Sequence, residues 1–128
     1  MSTVTLTADS FQDTVTDNDI VMVDFWAEWC GPCKSFAPVY EATSDSNPDI
    51  VFGKVDTEAE QALAGAAGIQ SIPTLMVFRE GVMVFRQSGA LPQQAMDQLI
   101  SQVRELDMED VHRQVAEAEA ESATQASQ

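Results

Sequence analysis

The chain has 128 residues, with 21 acidic side chains against six basic ones and a formal net charge of −15. That length fits one domain with a tail to spare, and such a domain buries about two-thirds of its unfolded surface, so no disulfide scaffold is needed to hold the core. The charge argues against nucleic acid and anionic membranes as partners, and no apolar run approaches the roughly 20 residues of a membrane span. The acidity reads first as solubility and second as adaptation to a salty interior.

The elements follow in chain order. The opening Met1-Ser2-Thr3-Val4-Thr5-Leu6-Thr7 has neither a basic cluster nor an apolar signal-peptide core, so the expected location is the cytoplasm. Val4 to Leu6 suits a short strand. Thr7 suits the N-cap of a helix reaching about Val15, with Phe11 and Val15 on one face. Asp17-Asn18-Asp19 reads as a turn. Residues 20–26 are apolar on both pleat faces, as in a central strand covered on both sides.

A helix is predicted from Gly31 or Pro32 to about Thr43, with Pro32 in the tolerant first turn and Pro38 expected to kink it. After a loop over 44–49, Ile50 to Val55 forms a strand. Thr57-Glu58-Ala59-Glu60 has the capping-box pattern for a helix ending at Ala67, with Gly68 as its stop. Thr74 to Phe78 and Val82 to Arg86 flank Arg79-Glu80-Gly81 as a hairpin. Residues 92–105 form a last clear helix with Met96, Leu99, Ile100 and Val103 on one face. The order β-α-β-α-β-α-β-β-α predicts an α/β fold, a central mixed sheet with helices on both faces.

The only two cysteines, Cys30 and Cys33, sit two residues apart where the strand 20–26 gives way to the next helix. A bridge between them would close so short a loop that it contributes only about 2 kcal/mol through chain entropy. It is better suited to opening and closing than to holding a fold. A helix N-terminus lowers a thiol's pKa through free N–H groups and the helix dipole. Cys30 is therefore the expected attacking thiolate, and Cys33, one turn further in, the more buried resolving thiol. A Cys-x-x-Cys pair can also be half a zinc site, but a closed site needs four ligands. Here no third cysteine exists and the only histidine is His112, so no metal and no cofactor are expected.

Asp24 lies in the apolar strand, flanked by Met22 and Trp26 on one pleat face. Burial would raise its pKa towards neutrality and suit it to exchange a proton with Cys33. The competing reading is a strand-end aspartate capping the next helix.

The string Trp29-Cys30-Gly31-Pro32-Cys33-Lys34 on the register Val23-Asp24-Phe25-Trp26-Ala27-Glu28, followed by Ala37-Pro38, Gly68-Ile69, Ser71-Ile72-Pro73-Thr74-Leu75, Gly81 and Gly89-Ala90, resembles the thioredoxin family over residues 3–106. The resemblance implies the thioredoxin fold and a protein-disulfide reductase. In it Cys30 is the nucleophile and Cys33 the resolving cysteine, joined as a disulfide when oxidised. Asp24 is the buried acid and Lys54 the lysine that approaches it. Pro73 corresponds to the family's cis-proline. Trp29, Gly31, Pro32, Ile72, Pro73, Gly89 and Ala90 form the rim where an extended substrate docks. The implied partners are protein disulfides and a thioredoxin reductase, with the chain itself a monomer. A disulfide oxidant or isomerase, or a binding module using the apolar rim and acidic tail, are the alternatives; Gly31-Pro32 and the absence of an export signal favour the reductase.

Residues 107–128 run beyond that resemblance, so the domain reading is 1–106 followed by an acidic extension. Met108, Val111, Val115 and Ala118 form a narrow apolar stripe on a possible helix. From about Glu119 onward only alanine is apolar, and the expectation there is disorder.

Overall fold

The computed structural model describes residues 2–126. Strand β1 (Thr3–Thr5) leads to helix α1 (Ala8–Asp17), β2 (Ile20–Trp26), α2 (Gly31–Ser46), β3 (Val51–Asp56), α3 (Gln61–Ala66), the hairpin β4 (Thr74–Arg79) and β5 (Val82–Ser88), α4 (Gln93–Arg104) and α5 (Met108–Ala126). The five strands order as β1-β3-β2-β4-β5. β1, β3 and β2 are parallel, and β4 runs antiparallel to β2 and β5.

Alternation along β2 sorts the core into two layers. Ile20 and Met22 join Phe36, Tyr40, Phe52, Leu75, Met96 and Leu99 on the side of α2 and α4. Val21, Val23 and Phe25 join Leu6, Val15, Val55 and Met76 on the other. Asp24 falls on the first face yet is only 1% exposed. Gly53 in β3 has no room for a side chain, because an added Cβ would lie 2.3 Å from Leu6 Cδ1. The missing side chain lets Leu6 close the end of β1 over β3. Glu80 and Gly81, both at positive φ, form the two-residue hairpin turn, whose twist matches the flanking strands.

Several boundaries differ from the sequence reading. Helix α2 runs through Pro38 to Ser46 rather than stopping at Thr43. The hydroxyls of Thr43, Ser44 and Ser46 donate back to the carbonyls of Val39, Glu41 and Ala42, so their polar groups are satisfied within the helix. Thr57 does not cap α3. Its hydroxyl donates to the Trp26 carbonyl at the end of β2, 3.0 Å away, the Asp56 carboxylate holds the N–H of Glu58 at 2.9 Å, and the helix starts only at Gln61.

The chain remains helical to Ala126, past Glu119 where disorder was expected; residues 127 and 128 lie outside the described residues. Alanine, glutamate and glutamine are good helix formers and carry the segment once its first turn is anchored. That turn is docked, with Met108 only 7% exposed. Arg79 Nη1 lies 2.7–3.2 Å from the carbonyls of Val103, Arg104 and Leu106, and so holds the join between α4 and α5. His112 Nε2 lies 2.9 Å from Glu80 Oε1 at the hairpin tip.

Candidate functional site

The carboxyl ends of β2 and β3 and the start of β4 converge on the start of α2, the kind of strand-end crevice where open α/β sheets bind ligands. Cys30 is the N-cap of α2, and Cys33 lies in its first turn. The two are joined as a disulfide with Cα atoms 5.2 Å apart. The Cys33 N–H points at Cys30 Sγ from 3.2 Å. That N–H is one of the free donors at a helix start, and it stabilises negative charge on Cys30 when the bridge opens.

Both cysteines are equally buried, at 4% exposure each. The expected contrast, with Cys33 the deeper, is therefore absent in the oxidised pair. The reason lies in the facing loop: Ile72 packs on the pair, and its carbonyl lies 3.7 Å from Cys30 Sγ. The asymmetry between the two sulfurs comes from the cap position rather than from exposure.

Behind the disulfide, Asp24 lies opposite Lys54 in the β2–β3 register and opposite Leu75 in β4. Its Oδ1 is buried without a hydrogen-bond partner among the described residues. Burial pushes its pKa from 3.8 up to about 7, and the positive charge of Lys54 opposes part of that rise. Asp24 takes no part in capping α2, whose N-cap is Cys30. The Lys54 ammonium lies 4.9 Å from the centre of the Trp26 ring. A cavity of about 110 Å³, lined by Cys33, Lys54, Trp26, Ala27, Lys34 and Ala37, opens next to the pair.

The rim residues surround this centre. Trp29 is 69% exposed, and its indole N–H donates to Glu58 Oε1 at 2.5 Å. Gly31 and Pro32 are exposed at the head of α2. The Ile72–Pro73 bond is cis. The Gly89 N–H, on a residue at φ +104, donates to the Pro73 carbonyl at 2.8 Å, and Ala90 follows it on the surface. A groove of about 510 Å³ next to this rim is lined by Trp29, Gln61, Ile69 and Ile72, among others.

Two contributors escaped the sequence reading. Glu58 fixes Trp29, as above. Arg86 in β5 sends Nη1 to the Ala67 carbonyl at 2.6 Å and Nη2 to the Gly68 carbonyl at 2.7 Å. It thereby neutralises the negative end of α3, just before the loop carrying Ile72 and Pro73. Arginine three residues before Gly89 is a visible signal, but its target is 18 residues away in sequence and is found only in the fold. Among the described residues, no group of three or more His, Cys, Asp or Glu is placed to hold a metal ion.

A disulfide that caps a helix, backed by a buried acid with a near-neutral pKa and flanked by an apolar groove, defines a thiol–disulfide oxidoreductase. The comparisons agree. The family model described as Thioredoxin matches residues 2–102. The putative thioredoxin 2 of Streptomyces coelicolor is 60% identical over 121 residues, covering 94% of this chain and 90% of that protein. Thioredoxin of Bacillus subtilis is 39% identical over 79% of this chain and 97% of its own. Among solved structures, a mutant thioredoxin from Halobacterium salinarum superposes with a TM-score of 0.76 at 35% identity, covering 82% of this chain and 93% of that one.

The chain belongs to the thioredoxin family, and its fold is the thioredoxin fold. It is a thiol–disulfide oxidoreductase with protein-disulfide reductase activity. The family acts on protein disulfides and is reduced by thioredoxin reductase.

Proposed function

We propose that the two sulfurs divide the reaction by position, with Cys30 attacking and Cys33 resolving. In the reduced protein the Cys30 thiolate attacks one sulfur of a target disulfide. A Cys30–target mixed disulfide forms, and the other target sulfur leaves as a thiolate. Cys33 then passes its proton to the Asp24 carboxylate and attacks Cys30 Sγ. The mixed disulfide breaks, the second target sulfur leaves as a thiolate, and the Cys30–Cys33 bridge forms. The target gains two electrons and the dithiol loses two.

The observation that carries this reading is the Cys33 N–H directed at Cys30 Sγ at the head of α2. A thiolate attacks whereas a neutral thiol hardly does, and only Cys30 has that donor. The near-neutral pKa of Asp24 supports the proton step, since an acid–base group works best close to ambient pH. The cavity lined by Cys33 and by Lys54, the register partner of Asp24, supports a route between the two groups. Trp29, Gly31, Pro32, Ile72, Pro73, Gly89 and Ala90 act as the docking rim. We assign the chain to the cytoplasm as a monomer, with residues 1–106 sufficient for catalysis and neither nucleic acid nor membrane as partner.

Insulin disulfide reduction, coupled to a thioredoxin reductase of either the nicotinamide–flavin or the ferredoxin-linked kind, tests the activity. Cys33→Ser is expected to accumulate mixed disulfides on Cys30, and Cys30→Ser to lose activity to background and capture nothing. Capture by the Cys30 variant and not by the Cys33 variant reverses the assignment.

A further inference from the structure

We propose that the groove between β5 and α5 is a docking site for an extended, basic and apolar segment of another protein, added as a further strand on the free edge of β5. β5 is the last strand of the sheet, so one side of its backbone offers unpaired N–H and C=O groups, the template for strand addition. Helix α5 lies beside it and leaves a groove of about 320 Å³ lined by Val82, Met83, Val84, Leu106, Val111 and Val115, among others. Both faces of the strand contribute, because Val82, Met83 and Val84 are consecutive. Met83 is 48% exposed, and among the described residues the other exposed large apolar ones are Val4 and Trp29. Trp29 belongs to the substrate rim. Met83 stands at the opposite end of the sheet, next to the hairpin turn.

The walls do not close on each other, and the reason is visible. Arg79, Met108 and the His112–Glu80 contact anchor only the first turns of α5. The stripe of Val111, Val115 and Ala118, which starts beside His112, faces the groove without filling it.

Charge selects the occupant. On the 3.6-residue period, Asp110, Glu117 and Glu121 fall along one border of that stripe and Glu119 along the other. Arg113 lies beside Asp110 and Glu117, so the outer rim keeps an excess of carboxylates. A second copy would bring two chains of net charge −15 edge to edge, and like charges facing across an interface are costly. A strand alternating apolar and basic side chains satisfies both the floor and the rim.

The surface is also not general to the family. The family match ends at residue 102, and two relatives 39% identical align over 79% of this chain and 96–97% of their own length. The alignment with the Streptomyces relative takes in 94% of the chain and therefore reaches into α5.

The test uses the full-length oxidised protein and a short peptide alternating lysine and valine, followed by NMR. The peptide is expected to shift the amide signals of residues 82–88 and 111–118 and to leave those around Trp29 and Ile72 in place. Its affinity should fall about tenfold or more as salt approaches roughly 1 M, where the screening length is about 3 Å. A glutamate–valine peptide, and a lysine–valine peptide methylated on alternate backbone nitrogens, should bind at least about tenfold more weakly. Met83→Lys and Val115→Glu should each abolish the shifts with insulin reduction unchanged; because they act on opposite walls, loss of helix α5 in one leaves the other as the test. Equal binding of both charge types, shifts confined to the Trp29–Ile72 rim, or self-association that Met83→Lys dissolves would each overturn the proposal, the last in favour of a second copy.

Discussion

At the carboxyl end of β2 the chain buries Asp24, whose Oδ1 has no hydrogen-bond partner among the described residues. At the amino end of the same strand Arg79 is half-buried, with Nη1 beside three carbonyls and Nε 3.9 Å from Asp19 but without a hydrogen-bond partner among the described residues, and His112 lies against Glu80. The first arrangement is destabilising, and it supplies a group with a pKa of about 7, as the proposed proton exchange requires. The second is stabilising, and it anchors a helix that the catalytic end does not touch. The sheet thus separates the end that holds chemistry under electrostatic strain from the end that carries an added surface.

Removing the strain has the largest expected effect. Asp24 has a pKa of about 7 in the folded chain against 3.8 ordinarily. Well below pH 3.8 both folded and unfolded forms are protonated and ionisation adds no cost. Between pH 4 and 7 the unfolded chain ionises first, so stability falls as pH rises. The difference amounts to roughly 3–5 kcal/mol above pH 7 at about 1.4 kcal/mol per pH unit. Asp24→Asn should therefore stabilise the protein by about that amount at pH 8 and hardly at all near pH 3, as read by denaturant unfolding. A destabilised variant at pH 8 would show that the carboxylate serves the fold.

The opposite end gives the next effect. A chain ending after Leu106 loses the buried Met108 and should be about 1–3 kcal/mol less stable. Its rate with a small disulfide should stay within about twofold of the full chain. A collapse in that rate would show that the two ends are not separate.

The smallest effect sharpens the boundary between them, because β5 serves both. Arg86→Gln weakens the hold on the carbonyls of Ala67 and Gly68 and should raise KM for insulin about tenfold, near 1.4 kcal/mol. The rate with a small disulfide that ignores the groove should not change. Equal losses on both substrates would make Arg86 a purely structural residue.

The catalytic end was largely legible in the sequence because its signals are local. Cys30, Cys33 and Pro32 mark a helix start, and Asp24 in an apolar strand marks a buried acid. What escaped depends on neighbours distant in the chain. The Thr57 hydroxyl is taken by Trp26, so a good capping pattern goes unused. Arg86 and Arg79 find carbonyls that only the folded helices present. The equal burial of Cys30 and Cys33 comes from Ile72 on the facing loop. In the tail, composition argued for disorder after Glu119, but a docked first turn favours continuing a helix over starting one. The groove beside Met83 could not be read from sequence, since it exists only because β5 is an edge and α5 returns alongside it.

The proposed proton exchange between Cys33 and Asp24 can be followed directly. A mixed disulfide is formed on Cys30 with a chromogenic thiol leaving group, and its resolution by Cys33 is timed by stopped flow from about pH 5 to 9. The account predicts a rate that rises through an inflection near pH 7 in the native protein, and a slower profile without that inflection in Asp24→Asn. An inflection near pH 7 that persists unchanged in Asp24→Asn would contradict it.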